Sequence, residues 1–153
     1  MSVFKFQAYD LVVCGAGPAG LMTAYTFAKM VGNSKKVLLL DKKEPWKEPI
    51  FCAEAVSTDR LSKLWPIDRS WVRGDISGIY FTSRKRYRAE FYSKNCGMIL
   101  DRPKFHHSIA DGCLNVGAEC HFDTVVKKLS RNADGSWNLE VQPKGGEGET
   151  ICA

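Results

Sequence analysis

The sequence predicts an α/β fold in which strand, helix and strand form a βαβ unit with a parallel sheet, and antiparallel β-hairpins are added to it. Residues 8–14 form a short apolar run ending in Gly15, which is typical of a strand buried on both faces. Residues 18–31 carry apolar side chains at helical spacing and precede a Gly-Asn stop signal. Residues 36–40 (KVLLL) are a second buried strand, so the connection between the strands should be right-handed.

Composition is that of a folded protein inside the cell. An apolar fraction of 44% with 25% charged residues favours one soluble globular domain over a disordered or fibrous chain. No apolar run approaches the roughly 20 residues of a membrane helix, and residues 1–10 lack the apolar region of a secretory signal, so we expect a cytoplasmic protein. The six cysteines include no C-x-x-C pair, which predicts free thiols and no metal site.

The net charge of +5 suits an anionic ligand, a phospholipid surface or a nucleic acid, and does not choose between them. The strongest basic run, residues 84–88 (RKRYR), falls between two strand-like stretches at 76–82 and 87–92. We interpret it as the solvated turn of a hairpin, and we expect no nucleic-acid partner.

The remaining chain also shows element signals. Residues 42–51 should be an irregular connection, and Ser57 should cap a short helix to about Leu64. Asp101 should cap a helix that ends at Gly117, with an apolar stripe at Phe105, Ile109, Ala110 and Leu114. Residues 118–122 predict a third parallel strand, residues 125–129 and 137–141 a hairpin, and residues 150–153 the beginning of a strand that we expect to be cut short.

The first turn carries the pattern G-x-G-x-x-G over residues 15–20 (GAGPAG). In this pattern Gly15 permits the tight turn, Gly17 lets a diphosphate approach bare backbone, and Gly20 lets the helix pack against the strand. The helix N-terminus adds unpaired N–H groups and roughly half a positive charge. The pattern alone also fits a plain glycine-rich loop, but here it follows a buried strand and opens a helix.

Asp41 ends the second strand about 20 residues after Gly20, where a carboxylate would accept hydrogen bonds from the adenosine ribose. We therefore predict a site for the ADP half of a dinucleotide. The same carboxylate would repel a 2′-phosphate, which disfavours NADP. FAD and NAD share the ADP moiety, so the glycines do not separate them.

Three segments together resemble the geranylgeranyl reductase family. They are the glycine motif, residues 52–57 (CAEAVS) and residues 99–105 (ILDRPKF). These flavoproteins, which include the archaeal digeranylgeranylglycerophospholipid reductases, saturate isoprenoid double bonds. The resemblance spans residues 9–141 and covers only the N-terminal part of the family's length.

The resemblance implies a Rossmann-like FAD-binding fold of the glutathione-reductase type, with residues 1–153 as an incomplete N-terminal FAD/NAD(P)-binding domain. It implies that Arg102 serves the phosphate or ribityl region and that Val126 touches the adenine through its backbone. Position 55 is commonly glycine in the family and is alanine here. The implied cofactor-binding residues are Gly15, Ala16, Gly17, Ala19, Gly20, Asp41, Cys52, Ala53, Ala55, Arg102 and Val126.

The function implied is an FAD-dependent oxidoreductase that reduces isoprenoid double bonds of a lipid or its precursor. The flavin supplies the hydride, so no catalytic side chain is assigned, and an external reductant such as NAD(P)H or ferredoxin would supply electrons. A lipid substrate also implies a peripheral membrane contact. Because the family's later ribityl-binding and lipid-enclosing segments are missing, we expect this chain alone to be inactive.

Two other functions remain open from the residues. One is a flavin monooxygenase-type oxidoreductase that shares the same front half, and the other is a non-catalytic dinucleotide-binding fragment. His106, His107 and His121 lack metal-ligand spacing, so we expect exposed positions for them. The four tryptophans are irregularly spaced, which favours packing over a ligand box.

Overall fold

The computed structural model describes residues 3–47, 52–84 and 86–153. The chain divides into two compact units, a first unit of residues 1–48 and 106–153 and a second unit of residues 49–105. The helices and strands in chain order are β1 (Leu11–Cys14), α1 (Pro18–Val31), β2 (Val37–Leu40), β3 (Ala55–Val56), α2 (Thr58–Ser62), β4 (Val72–Thr82), β5 (Arg88–Leu100), α3 (Arg102–Asn115), β6 (Glu119–His121), β7 (Thr124–Arg131), β8 (Trp137–Pro143) and β9 (Glu149–Cys152).

A parallel sheet with strand order β1-β2-β6 forms the centre of the first unit. The strand β2 is the middle one, and all four of its side chains are buried. This arrangement explains its run of apolar residues, because a central parallel strand is covered on both faces. The predicted α/β class, the βαβ unit and the third parallel strand are confirmed, and α1 has the predicted bounds.

An antiparallel meander of β7, β8 and β9 completes the first unit. Its inward side chains share a core with the parallel sheet. The predicted hairpin is confirmed and is longer than expected, and residues 149–152 pair with β8 as a strand. The buried members of the shared core are Phe4, Tyr9, Leu38, Leu40, Leu139, Val141 and Ile151.

The second unit contains a sheet of order β3-β5-β4, dominated by the long β4–β5 hairpin. The hairpin is the predicted one, but both strands run further than the alternating pattern indicates. Gly97 lets β3 approach β5, since a Cβ at this position would lie 2.8 Å from the Val56 carbonyl oxygen. Ser57 caps α2 as predicted by accepting a hydrogen bond from the Arg60 backbone N–H.

Several local predictions are wrong. The first strand begins at Leu11 and not at residue 8, because Ala8 forms an isolated bridge with Cys152 and the chain bends at Asp10. The Asp10 carboxylate accepts hydrogen bonds from the Lys36 backbone N–H and the Lys35 ammonium. The helix α2 ends at Ser62, two residues before the predicted end. Leu114 was assigned to the apolar stripe of α3 but is 53% exposed.

The histidines also differ from expectation. His106 is only 3% exposed, with its Nδ1 3.4 Å from the Pro45 carbonyl oxygen, and His121 is half-buried beside Glu119. Only His107 is exposed, as predicted, and it lies 3.1 Å from Asp111. Part of the predicted irregular connection, residues 48–51, lies outside the described residues, as does Lys85.

None of the helices in the described residues combines the length and apolar character needed to span a bilayer. Within the same residues, no three His, Cys, Asp or Glu side chains gather as a metal ion would require.

Candidate functional site

The turn between β1 and α1 can be built only with glycine at two of its three glycine positions. Gly15 has φ +113°, a conformation that side chains disfavour, and its N–H donates to the Leu40 carbonyl at 2.7 Å. A Cβ at Gly20 would lie 1.8 Å from the Gly15 carbonyl oxygen. At Gly17, by contrast, a Cβ would meet nothing within 4 Å, so the space above this residue is open to a ligand.

The N-terminus of α1 has the features of an anion site. The helix begins at Pro18, its N-cap residue Gly17 provides no capping side chain, and no acidic residue lies in the first turn. Gly17 and Ala19 are exposed, so the helix start faces solvent. Backbone N–H groups and the positive end of the helix dipole are therefore available to a diphosphate.

The Asp41 carboxylate lies against this turn. Its Oδ2 accepts a hydrogen bond from the Ala16 backbone N–H at 2.6 Å, and its Oδ1 accepts one from the Lys43 N–H at 3.1 Å. The strand β2 positions it, because β1 and β2 are parallel and end at the same edge of the sheet. Each carboxylate oxygen can accept a second hydrogen bond, so two acceptor positions suit the two hydroxyls of a ribose.

A groove of about 240 Å³ runs along this edge of the sheet. It brings Val126 into the same site as Gly15 and Asp41, at the carboxyl ends of parallel strands where open α/β sheets bind their ligands. Lys42 and Thr124 also line the groove and were missed from the sequence. The position of Lys42 directly after Asp41 could have indicated it, whereas nothing in the sequence indicates Thr124.

The four remaining predicted residues lie in the second unit. The Cys52 sulfur accepts hydrogen bonds from the Arg102 guanidinium at 3.3 Å and from the Glu54 N–H at 3.4 Å. Ala53 and Ala55 stand on either side of Glu54 in the sequence and are exposed. Positive φ in this segment falls on Glu54, at +60°, and not on Ala55, so alanine at position 55 is compatible with the backbone.

The residues of the first unit fit the ADP part of a dinucleotide. The turn leaves room above Gly17, the helix start is uncapped, and a carboxylate stands at the end of the second strand. The structure thus gathers seven predicted residues around one turn and groove in the first unit, and the other four around Cys52 and Arg102 in the second.

Comparison with known proteins identifies the relatives of this chain. No protein-family model matches it. A digeranylgeranylglycerophospholipid reductase of Methanosarcina acetivorans is 33% identical over 79% of the chain, and one of Methanocaldococcus jannaschii is 34% identical over 92%. The chain is a sequence relative of the geranylgeranyl reductase family. It spans 30% and 35% of the lengths of these two curated relatives.

Solved structures agree on the fold. A geranylgeranyl bacteriochlorophyll reductase-like protein from Thermoplasma acidophilum superposes with a TM-score of 0.82 at 22% identity, covering 95% of this chain and 37% of the other. Halogenase PltM, in its complex with phloroglucinol and FAD, gives a TM-score of 0.68 at 17% identity, covering 94% of this chain and 33% of the halogenase. The resemblance inferred from the sequence motifs is confirmed, and the fold is one found in FAD-containing flavoproteins.

Proposed function

We propose that this chain is the FAD-binding part of an oxidoreductase that reduces isoprenoid double bonds of a lipid or lipid precursor. The observation that carries the proposal is the Asp41 carboxylate held 2.6 Å from the Ala16 N–H, beside a turn that requires glycine. The curated relatives named digeranylgeranylglycerophospholipid reductase support the substrate class.

In this proposal the first unit binds the ADP moiety. The backbone N–H groups of Gly17, Ala19 and Gly20 hold the diphosphate, and the open space above Gly17 admits it. The two remaining acceptor positions of Asp41 take the ribose hydroxyls, and Val126 contacts the adenine. A 2′-phosphate would be repelled by Asp41, so we expect no binding of NADP at this turn.

The family resemblance assigns the flavin side of the cofactor to Cys52, Ala53, Ala55 and Arg102. The Arg102 guanidinium, held by the Cys52 sulfur, supplies a positive charge for the phosphate or ribityl region. When bound, FAD supplies the hydride-transfer chemistry. No residue of this chain is assigned as proton donor, and we propose that electrons reach the longer protein from an external reductant such as NAD(P)H or ferredoxin.

Titration of the purified chain with FAD, followed by quenching of flavin fluorescence, tests the cofactor assignment. We expect binding by the parent chain and at least about tenfold weaker binding by Asp41→Asn, which loses a charge-assisted hydrogen bond. Asp59→Asn removes the same charge from an exposed position on α2 and should bind as the parent does. Equal binding by all three proteins, or no binding of any adenine dinucleotide, would refute the assignment.

A flavin monooxygenase-type reaction is the second candidate, because the FAD-containing halogenase shares the fold. Incubating the full-length protein with a geranylgeranyl lipid, FAD and a reductant separates the two. A saturated product supports the reductase, and a hydroxylated product supports the alternative. The present chain assayed alone should give neither product.

A further inference from the structure

The outer part of the β4–β5 hairpin, residues 79–92, has one apolar face that is exposed. Side chains of paired residues on neighbouring antiparallel strands lie on the same face of a sheet. Ile79 pairs with Phe91, and Phe81 pairs with Ala89, so these four share a face. The exposed fractions are 45% for Ile79, 57% for Phe91 and 65% for Phe81.

The side chains on the opposite face form a network of polar contacts with one another. Tyr80 pairs with Glu90, and Thr82 pairs with Arg88. The Tyr92 hydroxyl donates to Glu90 at 2.8 Å, Arg88 forms an ion pair with Glu90, and its guanidinium lies 4.6 Å from the centre of the Tyr80 ring. The polar side chains of this face therefore bind one another. The apolar face is the one whose burial against a partner would be favourable, because it removes apolar surface from water.

The tip of the hairpin is cationic, and two backbone hydrogen bonds join its described residues. The Ser83 N–H donates to the Tyr87 carbonyl, and the Arg86 N–H donates to the Ser83 carbonyl, both at 2.9 Å. Arg84, Arg86 and Tyr87 are exposed. Residues 79–92 contain four basic side chains, and their single acid, Glu90, is already engaged by neighbours on the polar face.

We propose that residues 79–92 dock this protein on an anionic lipid surface, with the apolar face and Tyr87 of the tip at the headgroup level and Arg84 and Arg86 on the phosphates. Aromatic and apolar side chains combined with arginines are the composition of interfacial membrane anchors. Charge complementarity selects an anionic lipid over a second copy of this chain, because the copy would present the same cationic tip. The inference deepens the proposed function, since a lipid substrate is reached at a membrane.

Co-sedimentation with vesicles tests the docking, in the absence of FAD and substrate. The parent chain should bind vesicles of phosphatidylcholine with about one third phosphatidylglycerol at ~0.1 M salt. On vesicles of phosphatidylcholine alone, binding should be weaker by about tenfold.

Two double variants of the hairpin and one control double variant of β7 assign the binding to the hairpin. Arg84→Glu with Arg86→Glu should weaken binding to the anionic vesicles by at least about tenfold. Lys127→Glu with Lys128→Glu makes the same charge change on exposed positions of β7 and should bind nearly as the parent does. Phe81→Ser with Phe91→Ser should weaken binding while leaving the net charge unchanged, and circular dichroism verifies that each variant is folded.

Three outcomes would overturn the proposal. They are no binding by the parent chain, an equal loss in the β7 variant, and a dimer of the parent that Phe81→Ser with Phe91→Ser dissociates, which would assign the apolar face to a second copy. The FAD titration is independent of these results. Vesicle binding by a chain that ignores FAD would refute the proposed function alone, and FAD binding by a chain that ignores vesicles would refute only the docking.

Discussion

Gly17 and Gly20 belong to one sequence motif, but the structure gives them different physical roles. Gly20 packs directly under the Gly15 carbonyl, so its missing side chain is a requirement of folding. Gly17 lies at the exposed N-cap with φ −67°, a conformation open to any residue, and its missing side chain leaves room outside the protein. The motif therefore combines a packing constraint with a ligand constraint.

Alanine at each position should separate these roles. Gly20→Ala should lower the free energy of unfolding by about 2 kcal/mol or more, because its Cβ overlaps a backbone oxygen. Gly17→Ala should cost about 1 kcal/mol or less and weaken FAD binding at least about tenfold, because its Cβ occupies the space proposed for the diphosphate. Urea unfolding measures the free energy of unfolding of each variant, and titration with FAD measures its binding of the cofactor. Similar loss of stability in both variants would contradict this distinction.

The site residues differ in how far the sequence could predict them. Asp41 was predictable because it ends a recognisable parallel strand, and such strands end at a common edge. The contact between Cys52 and Arg102 joins positions 50 residues apart and was not predicted; the family resemblance implied only that each residue serves the cofactor. Thr124 lines the groove through a chain path that no local pattern reveals. Whether these residues contact FAD stays a prediction.

At the scale of elements, a buried carboxylate fastens the N-terminal segment to β6. The two oxygens of Glu119 accept hydrogen bonds from the Lys5 N–H at 2.9 Å and the Tyr9 hydroxyl at 2.8 Å, and the His121 ring nitrogen lies 2.7 Å away. Burial would raise the pKa of the Glu119 carboxyl, but these hydrogen bonds outweigh it and lower the pKa below its usual value of 4.5. Burial and the bond to Glu119 raise the pKa of Tyr9.

This pKa shift predicts a loss of stability in acid. A carboxyl whose pKa is lowered by folding adds stability above its unfolded pKa, near 4.5, and loses it as the pH falls through the lower folded value. The free energy of unfolding should therefore decrease below about pH 5. Glu119→Gln should be less stable at pH 7 and show a shallower decrease in acid.

Glu147→Gln is the matched control, because it changes the same group at an exposed turn position. Urea unfolding between neutral and acid pH should give this variant the pH dependence of the parent. An unchanged acid slope in Glu119→Gln would contradict the role assigned to the buried carboxylate.

Element boundaries were predictable where backbone chemistry sets them and not where packing does. The observed bounds of α1 agree with the predicted ones because Gly32, which is the stop signal in the sequence, adopts φ +54° and ends the helix in the structure. The burial of His106 was not predictable, since it depends on packing near Pro45, which is distant in sequence. Likewise, Cys113 is buried on α3 while the neighbouring Leu114 is exposed, so tertiary packing selected a different face from the predicted stripe.

At the scale of the whole molecule, burial is very uneven along the chain. The side chains of β2 are buried on both faces, whereas residues 79–92 of the hairpin are exposed wherever they are described. Local opening costs least where few apolar contacts must be broken. The central strand and the hairpin tip should therefore mark the two extremes of native-state stability.

Hydrogen exchange followed by mass spectrometry measures this difference. Peptides that contain Val37–Leu40 should exchange slowest, and peptides within residues 79–92 should exchange fastest. Peptides from β7 and β8 serve as an internal comparison and should fall between them. Protection of the hairpin equal to that of β2 would contradict the expectation.

The two partners of β2 in the parallel sheet are reached along the chain in very different ways. β1 is joined to it by a single helix, whereas β6 begins only after the whole second unit, roughly 80 residues later. Pairing β6 with β2 closes the longer loop and so costs more chain entropy, and this cost comes before the stabilising contacts form. We therefore expect the nascent β1–α1–β2 module to collapse first and β6 to dock in a late, slower step of folding.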